Sequence, residues 1–157
     1  MNKRENNWLV LIGFIVLAQS AGIVGSLFTT PNIPTWYATL YRPPIAPPNW
    51  IFAPVWTTLF LLMGVAAYLV WRSGPRTKLA LRIFGLQLAL NVLWSILFFG
   101  LQSPGAAFVE IIFLWLSIVW TMYAFAKHST LAAWLLSPYL AWVTFAGALN
   151  YFIWTLN

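Results

Sequence analysis

A chain of 157 residues that is 62% hydrophobic and only 6% charged cannot cover itself as a soluble domain does, which carries about a quarter of its residues as charges. Its apolar side chains call for the hydrocarbon of a bilayer, and its length suits one bundle, a single domain over residues 1–157. The net charge of +6 does not indicate a nucleic-acid partner, because the basic residues sit at the ends of apolar segments, where cations meet lipid headgroups; with no Cys, thiolate and disulfide chemistry are excluded.

Five apolar segments, each near the ~20 residues a helix needs to cross the hydrocarbon, predict an all-α, polytopic membrane protein with helices at about 8–28, 51–71, 79–99, 105–125 and 131–154. The first is preceded by Lys3 and Arg4 and has small residues at Ala18 and Ser20, as a signal peptide would. Its apolar run continues to Phe28, beyond the ~7–15 residues of an h-region, which argues for a retained helix. Along it Ala18, Gly22 and Ser26 recur at four-residue spacing beside Ala21 and Gly25, a pattern that permits close helix contact.

Residues 29–50 follow, with Pro31, Pro34, Pro43, Pro44, Pro47 and Pro48, too many prolines to expect a helix. The same stretch carries Trp36, Tyr37, Tyr41 and Trp50, which a plain solvated linker does not need. It reads either as a Pro/Trp-rich cap folded over one end of the bundle or as an aromatic loop lying in the headgroup layer. The later connections are short: Arg72-Ser-Gly-Pro-Arg76, Gln102-Ser-Pro-Gly105 and Lys127-His-Ser-Thr130. Ser103 before Pro104 reads as N-cap and first residue of the fourth helix. With five crossings, Lys3, Arg4, Arg72, Arg76, Lys78, Arg82 and Lys127 fall on one side and Arg42 alone on the other. The positive-inside rule then predicts a cytoplasmic N-terminus, with the cap and the C-terminus outside.

Polar residues deep in such segments are few. Gln87, Asn91 and Trp94 share a face of the third helix, Trp142, Ala146, Leu149 and Asn150 a stripe of the fifth, and Trp56, Phe60 and Met63 one of the second. These stripes can line an apolar cavity with a few polar anchors, or simply pack as core with the amides bonding between helices. Glu110, the one acid within a segment, has three courses open to it: snorkelling to water, bonding across helices, or staying protonated. No catalytic residue and no metal site is expected. Without Asp or Cys and with a single His, His128, neither a nucleophilic triad nor a ligand cluster can be built.

The run Trp36-Tyr-Ala-Thr-Leu-Tyr-Arg-Pro-Pro-Ile-Ala-Pro-Pro-Asn-Trp50, continuing to Ala53-Pro-Val-Trp56, resembles the signature of the TspO/MBR family. So do Gln87-Leu-Ala-Leu-Asn91 with Trp94, Phe98-Phe99-Gly100, and Pro138-Tyr-Leu-Ala-Trp142 through Ala146, Leu149, Asn150 and Tyr151. These are the tryptophan-rich sensory proteins of bacteria and the mitochondrial translocator protein, or peripheral benzodiazepine receptor. The resemblance implies a five-helix bundle, often a homodimer, in a bacterial cell membrane, with an inner cavity capped by the first loop. It implies ligands such as protoporphyrin IX, haem, sterols and benzodiazepine-type or isoquinoline drugs, with no cofactor required. By motif the pocket would comprise Trp56, Asn91, Trp94, Trp142, Ala146 and Leu149, and by position Ser26, Phe52 and Ala53. The cap would comprise Trp36, Tyr37, Arg42, Pro47 and Pro48, with Arg42 as partner for a porphyrin carboxylate. Tetrapyrrole handling or stress sensing is the function this implies. The alternatives are a transporter of such molecules or light-dependent porphyrin breakdown, in which Trp56 and Trp142 would act. This chain departs from the family in having Ile45 where Trp is usual and in lacking a basic residue after Tyr151, where the weak sterol pattern needs one. It only approximates the small-residue dimer pattern, with Gly85 and Ala89.

Overall fold

The computed structural model describes Glu5 and residues 7–157, so Lys3 and Arg4 lie outside the described residues. Among these, every regular element is helical. Helix α1 (Trp8–Asn32) starts at Asn7, whose side chain accepts from the Val10 N–H at 3.2 Å. The chain then forms α2 (Phe52–Arg72), α3 (Lys78–Ser95), α4 (Pro104–Ala126), the short α5 (Thr130–Trp134) and α6 (Ser137–Leu156). With their flanking turns these make five spans long and apolar enough to cross a membrane: Trp8–Tyr37, Asn49–Arg72, Pro75–Gly100, Pro104–Ala126 and Thr130–Leu156. The protein is a five-span polytopic membrane bundle.

The expectation of a non-helical stretch from Thr29 onward fails in its first half. Helix α1 runs through Pro31 to Asn32 and continues as a π-helical turn, Ile33–Tyr37, that contains Pro34. Proline removes a backbone donor, but the wider turn shifts the hydrogen-bond register and nearby polar side chains take up exposed carbonyls. Asn32 Nδ2 donates to the Phe28 carbonyl at 2.8 Å, and Thr35 Oγ1 donates to that of Pro31 at 3.0 Å. The fifth span also departs from a single helix, because Pro138 in the first turn of α6 offers no N–H to continue α5. Ser103 takes the N-cap position of α4 but makes no side-chain cap bond. The α3 span likewise ends in a π turn, Ile96–Gly100, and the chain reverses through Gln102 in a left-handed conformation (φ 52°).

Packing differs between the two ends of the bundle. At the end carrying Arg72, Lys78 and Lys127, the interior is filled by Met63, Ala66, Val70, Phe84, Ile118, Phe125 and Leu136, each 1% exposed or less. Close approach of α1 to α2 there depends on Gly64, since a Cβ at that position would lie 2.6 Å from the Ile15 Cα. Most of α1 faces outward; of its residues only Ala18 and Gly25 are buried. An apolar helix so exposed needs lipid or another apolar surface around it. At the opposite end residues 33–51 pack over the ends of the helices, so the loop is a lid. Tyr37 is buried against Phe98 and Phe99, with ring centroids at 6.3 and 5.7 Å, and Trp36 meets the same pair edge-on. The Tyr41 backbone is clasped by the Asn157 side chain, which accepts from its N–H at 2.9 Å and donates to its carbonyl at 3.1 Å.

Candidate functional site: an indole-lined cavity under the lid

Beneath the lid lies a cavity of about 340 Å³ between α1, α2, α3 and α6. Its wall is mostly apolar, and it includes all of Trp56, Asn91, Trp94, Trp142, Ala146, Leu149, Ser26, Phe52 and Ala53. Of the cap residues only Tyr37 reaches it. Trp36 packs away from it on Phe98 and Phe99. Pro48 accepts at its carbonyl from Ile51 N–H, forming the turn that leads into α2, and Pro47 lies just before it. Arg42 does not turn inward to await a carboxylate: its guanidinium donates to Asn49 Oδ1 at 3.3 Å and stands 5.5 Å from the Tyr37 ring centroid, on the exposed side of the lid.

Three indoles from three helices face this space, each oriented by a different neighbour. Trp56 stacks on Phe60 (5.5 Å, 29°) and meets Tyr139 edge-on at 6.2 Å, which fixes its plane along the α2 wall. Trp94 stacks on Phe98 (5.0 Å, 21°), and its Nε1–H donates to Asn150 Oδ1 at 3.0 Å. Asn150 in turn donates to the Pro104 carbonyl at 2.8 Å, where α4 begins. Trp142 meets Phe52 edge-on at 6.0 Å and Phe145 at 5.7 Å, but its Nε1–H is buried with no acceptor. A buried indole N–H normally finds a partner. This one bonds nothing, on a ring whose residue lines the cavity.

Asn91, expected as a polar anchor, uses its Nδ2 to donate to the Tyr139 hydroxyl at 2.9 Å, bridging α3 to α6 beneath the cavity. Gln87, one turn further in, makes only a long 3.7 Å contact to Met63 Sδ and leaves its Oε1 without a partner. Glu110 takes neither of the first two courses open to it: it is 6% exposed, and no hydrogen bond reaches either carboxyl oxygen. It does not line the cavity.

Sequence reasoning did not single out Gln19 and Tyr139, whereas Gly22 belongs to the small-residue pattern read as permitting close helix contact. Gln19 is the one amide of the predicted first segment, 8–28, and its Nε2 donates to the Thr57 carbonyl at 2.9 Å; that isolated amide was the available signal. Gly22 lies under Phe60, whose ring would be 2.5 Å from an added Cβ. Nothing but Pro138 beside it marks Tyr139 as the partner of Asn91. Among the described residues no three His, Asp or Glu side chains gather as a metal site.

The family model for TspO/MBR matches residues 14–155. The chain belongs to the TspO/MBR family. A tryptophan-rich protein TspO from Archaeoglobus fulgidus is 44% identical over 155 residues, covering 96% of this chain and 99% of that protein. One from Chlorobaculum tepidum is 44% identical over 160 residues, covering 100% and 99%. The translocator protein of Bos taurus is 42% identical over 154 residues, covering 96% and 91%. Similarity that extends end to end across archaeal, bacterial and animal TspO/MBR proteins accords with one architecture throughout, an integral membrane bundle of five spans.

Proposed function

We propose that this TspO/MBR protein binds a flat, apolar tetrapyrrole of the protoporphyrin class between Trp56, Trp94 and Trp142, in tetrapyrrole handling or stress sensing. The observation that carries the reading is the set of three indoles, from three helices, around one apolar cavity. Such a lining suits a conjugated ring, which can stack on their faces. The volume of about 340 Å³ lies at the low end of ligand pockets, which run ~300–1,000 Å³. A macrocycle would therefore occupy the cavity with part of its edge extending between α1 and α2. No residue of the wall is a His, which suits a metal-free porphyrin, a ring that takes no axial ligand.

The unpartnered Trp142 Nε1–H is enclosed rather than open to the cavity, so a guest bearing an acceptor would satisfy it only by turning the indole toward itself. Trp142→Phe separates packing from hydrogen bonding. In the empty protein the exchange removes a buried donor that bonds nothing, so thermal stability should hold or rise slightly. In the complex it removes one hydrogen bond, about 0.5–1.5 kcal/mol, and protoporphyrin IX affinity should fall about three- to tenfold. A thermal melt measures the first and equilibrium titration in detergent or nanodiscs the second. An affinity equal to that of the native protein would remove Trp142 Nε1 from the site.

Orientation is part of the proposal. Arg72, Arg76, Lys78, Arg82 and Lys127 cluster at the packed end, with Arg42 alone at the lid; the positive-inside rule then sets the packed end in the cytoplasm and the lid outside.

A further inference from the structure

Each seam between the helices around the cavity can be followed. Toward α6, the α2 seam is closed by two ring pairs, Phe52–Trp142 and Trp56–Tyr139, and the α3 seam by two hydrogen bonds, Asn91–Tyr139 and Trp94–Asn150. The α1–α3 seam is tight, with Ser95 Oγ 3.0 Å from where a Gly25 Cβ would stand and Phe28 at 2.9 Å from that of Gly100. The lid is held by the Asn157 clasp on Tyr41, by Arg42 on Asn49 and Tyr37, and by the ring contacts of Trp36 and Tyr37 with Phe98 and Phe99.

The seam between α1 and α2 differs. It is closed as far out as Gly22 under Phe60 and Gln19 on the Thr57 carbonyl. Beyond these, among the described residues, no hydrogen bond or ring contact joins the two helices. Ser26 and Ala53, with short side chains, line the cavity there and are exposed at the outer surface, and Ile23 beside them is 63% exposed. Ser26 lies 18 residues on from Trp8, about 27 Å along the helix axis at 1.5 Å per residue. It therefore stays within the ~30 Å of hydrocarbon that a span starting at Trp8 would cross. Along Ser26 and Ala53 the cavity therefore borders lipid, while at the lid end of the same seam the exposed Thr30 and Asn49 also line it.

Resting on the reading of this cavity as a ligand site, we propose that the gap between Ser26 and Ala53 is a lateral portal. Apolar guests dissolved in the bilayer enter and leave through it while the lid stays shut. Physically, the route needs no rupture of the lid's hydrogen bonds and no transfer of an apolar guest through water. The portal also sets the guest class: molecules that partition into membranes, with a flat edge narrow enough to pass between two helices.

The chain has no Cys of its own, so one introduced thiol reports access without background. Ala146→Cys places it on the α6 wall of the cavity. In vesicles, a lipid-soluble thiol reagent should modify it at least tenfold faster than a membrane-impermeant one. Adding Ser26→Trp or Ala53→Trp should slow that modification tenfold or more, whereas Asn157→Ala, which releases the clasp on Tyr41, should leave it within twofold. The proposal is overturned if both plugs leave the rate unchanged, if Asn157→Ala raises it severalfold, or if the impermeant reagent reacts equally fast. No reaction with either reagent also overturns it. A parallel arm measures protoporphyrin IX release from native and plugged protein, with the plugs expected to slow release tenfold; unchanged release also overturns the portal. Should protoporphyrin fail to bind the native protein while the labelling pattern holds, the porphyrin reading falls and the portal stands.

Discussion

Replacing Trp56 and Trp142 together by alanine should weaken protoporphyrin IX binding about a thousandfold. One indole face laid against a conjugated guest contributes about 2 kcal/mol from apolar area and ring stacking. Two such faces, on α2 and α6, come to about 4 kcal/mol, or roughly three decades in Kd. Phenylalanine at both positions keeps most of the area and should cost only about tenfold. Porphyrin absorbance titration measures the ratio, and a circular dichroism spectrum matching the native one shows that the bundle persists. Both side chains are half-buried at the cavity rather than enclosed in the filled end, so the fold should survive their truncation. Affinity within threefold of native in the alanine pair would dispose of the site.

A second large effect is expected far from the cavity, at Gly64. An added Cβ there would stand 2.6 Å from the Ile15 Cα and 2.9 Å from both the Ile15 N and the Phe14 carbonyl oxygen. These are backbone atoms of a helix and cannot swing aside, so Gly64→Leu must push α1 off α2. Overpacking of this kind costs about 3 kcal/mol or more. In a chain of this length that lowers Tm by about 6–12 °C. Gly85 is the control: nothing stands within 4 Å of its added Cβ, and Gly85→Leu should leave Tm within about 2 °C. Equal losses at both positions would show that helix propensity, not contact, governs these glycines.

Much of the architecture was legible because the bilayer imposes a strict length and composition on each span. The five segments needed only counting, and the stripes through Asn91 and Trp142 followed from helical periodicity. What escaped was backbone accommodation. Pro31 and Pro34 read as helix breakers, yet Asn32 and Thr35 cap carbonyls near them and a π turn absorbs the offset. The three-dimensional context that makes this pairing effective is not written in spacing. Arg42 illustrates another limit. Its place in the lid followed from chain order, but its engagement with Asn49 and Tyr37 depends on how the lid closes. Periodicity placed Trp142 beside the cavity, but only coordinates reveal that its indole N–H bonds nothing.

With the cavity taken as the ligand site proposed above, the contrast between the filled end of the bundle and the hollow one makes stability a function of occupancy. Wall atoms facing an empty space lack dispersion partners on one side, and a guest supplies them only in the folded state. Mass action then adds RT ln(1 + [L]/Kd) to the unfolding free energy, about 2.7 kcal/mol when the guest stands at a hundred times its Kd. Melting temperature thus becomes a meter of how much apolar guest the surrounding membrane holds.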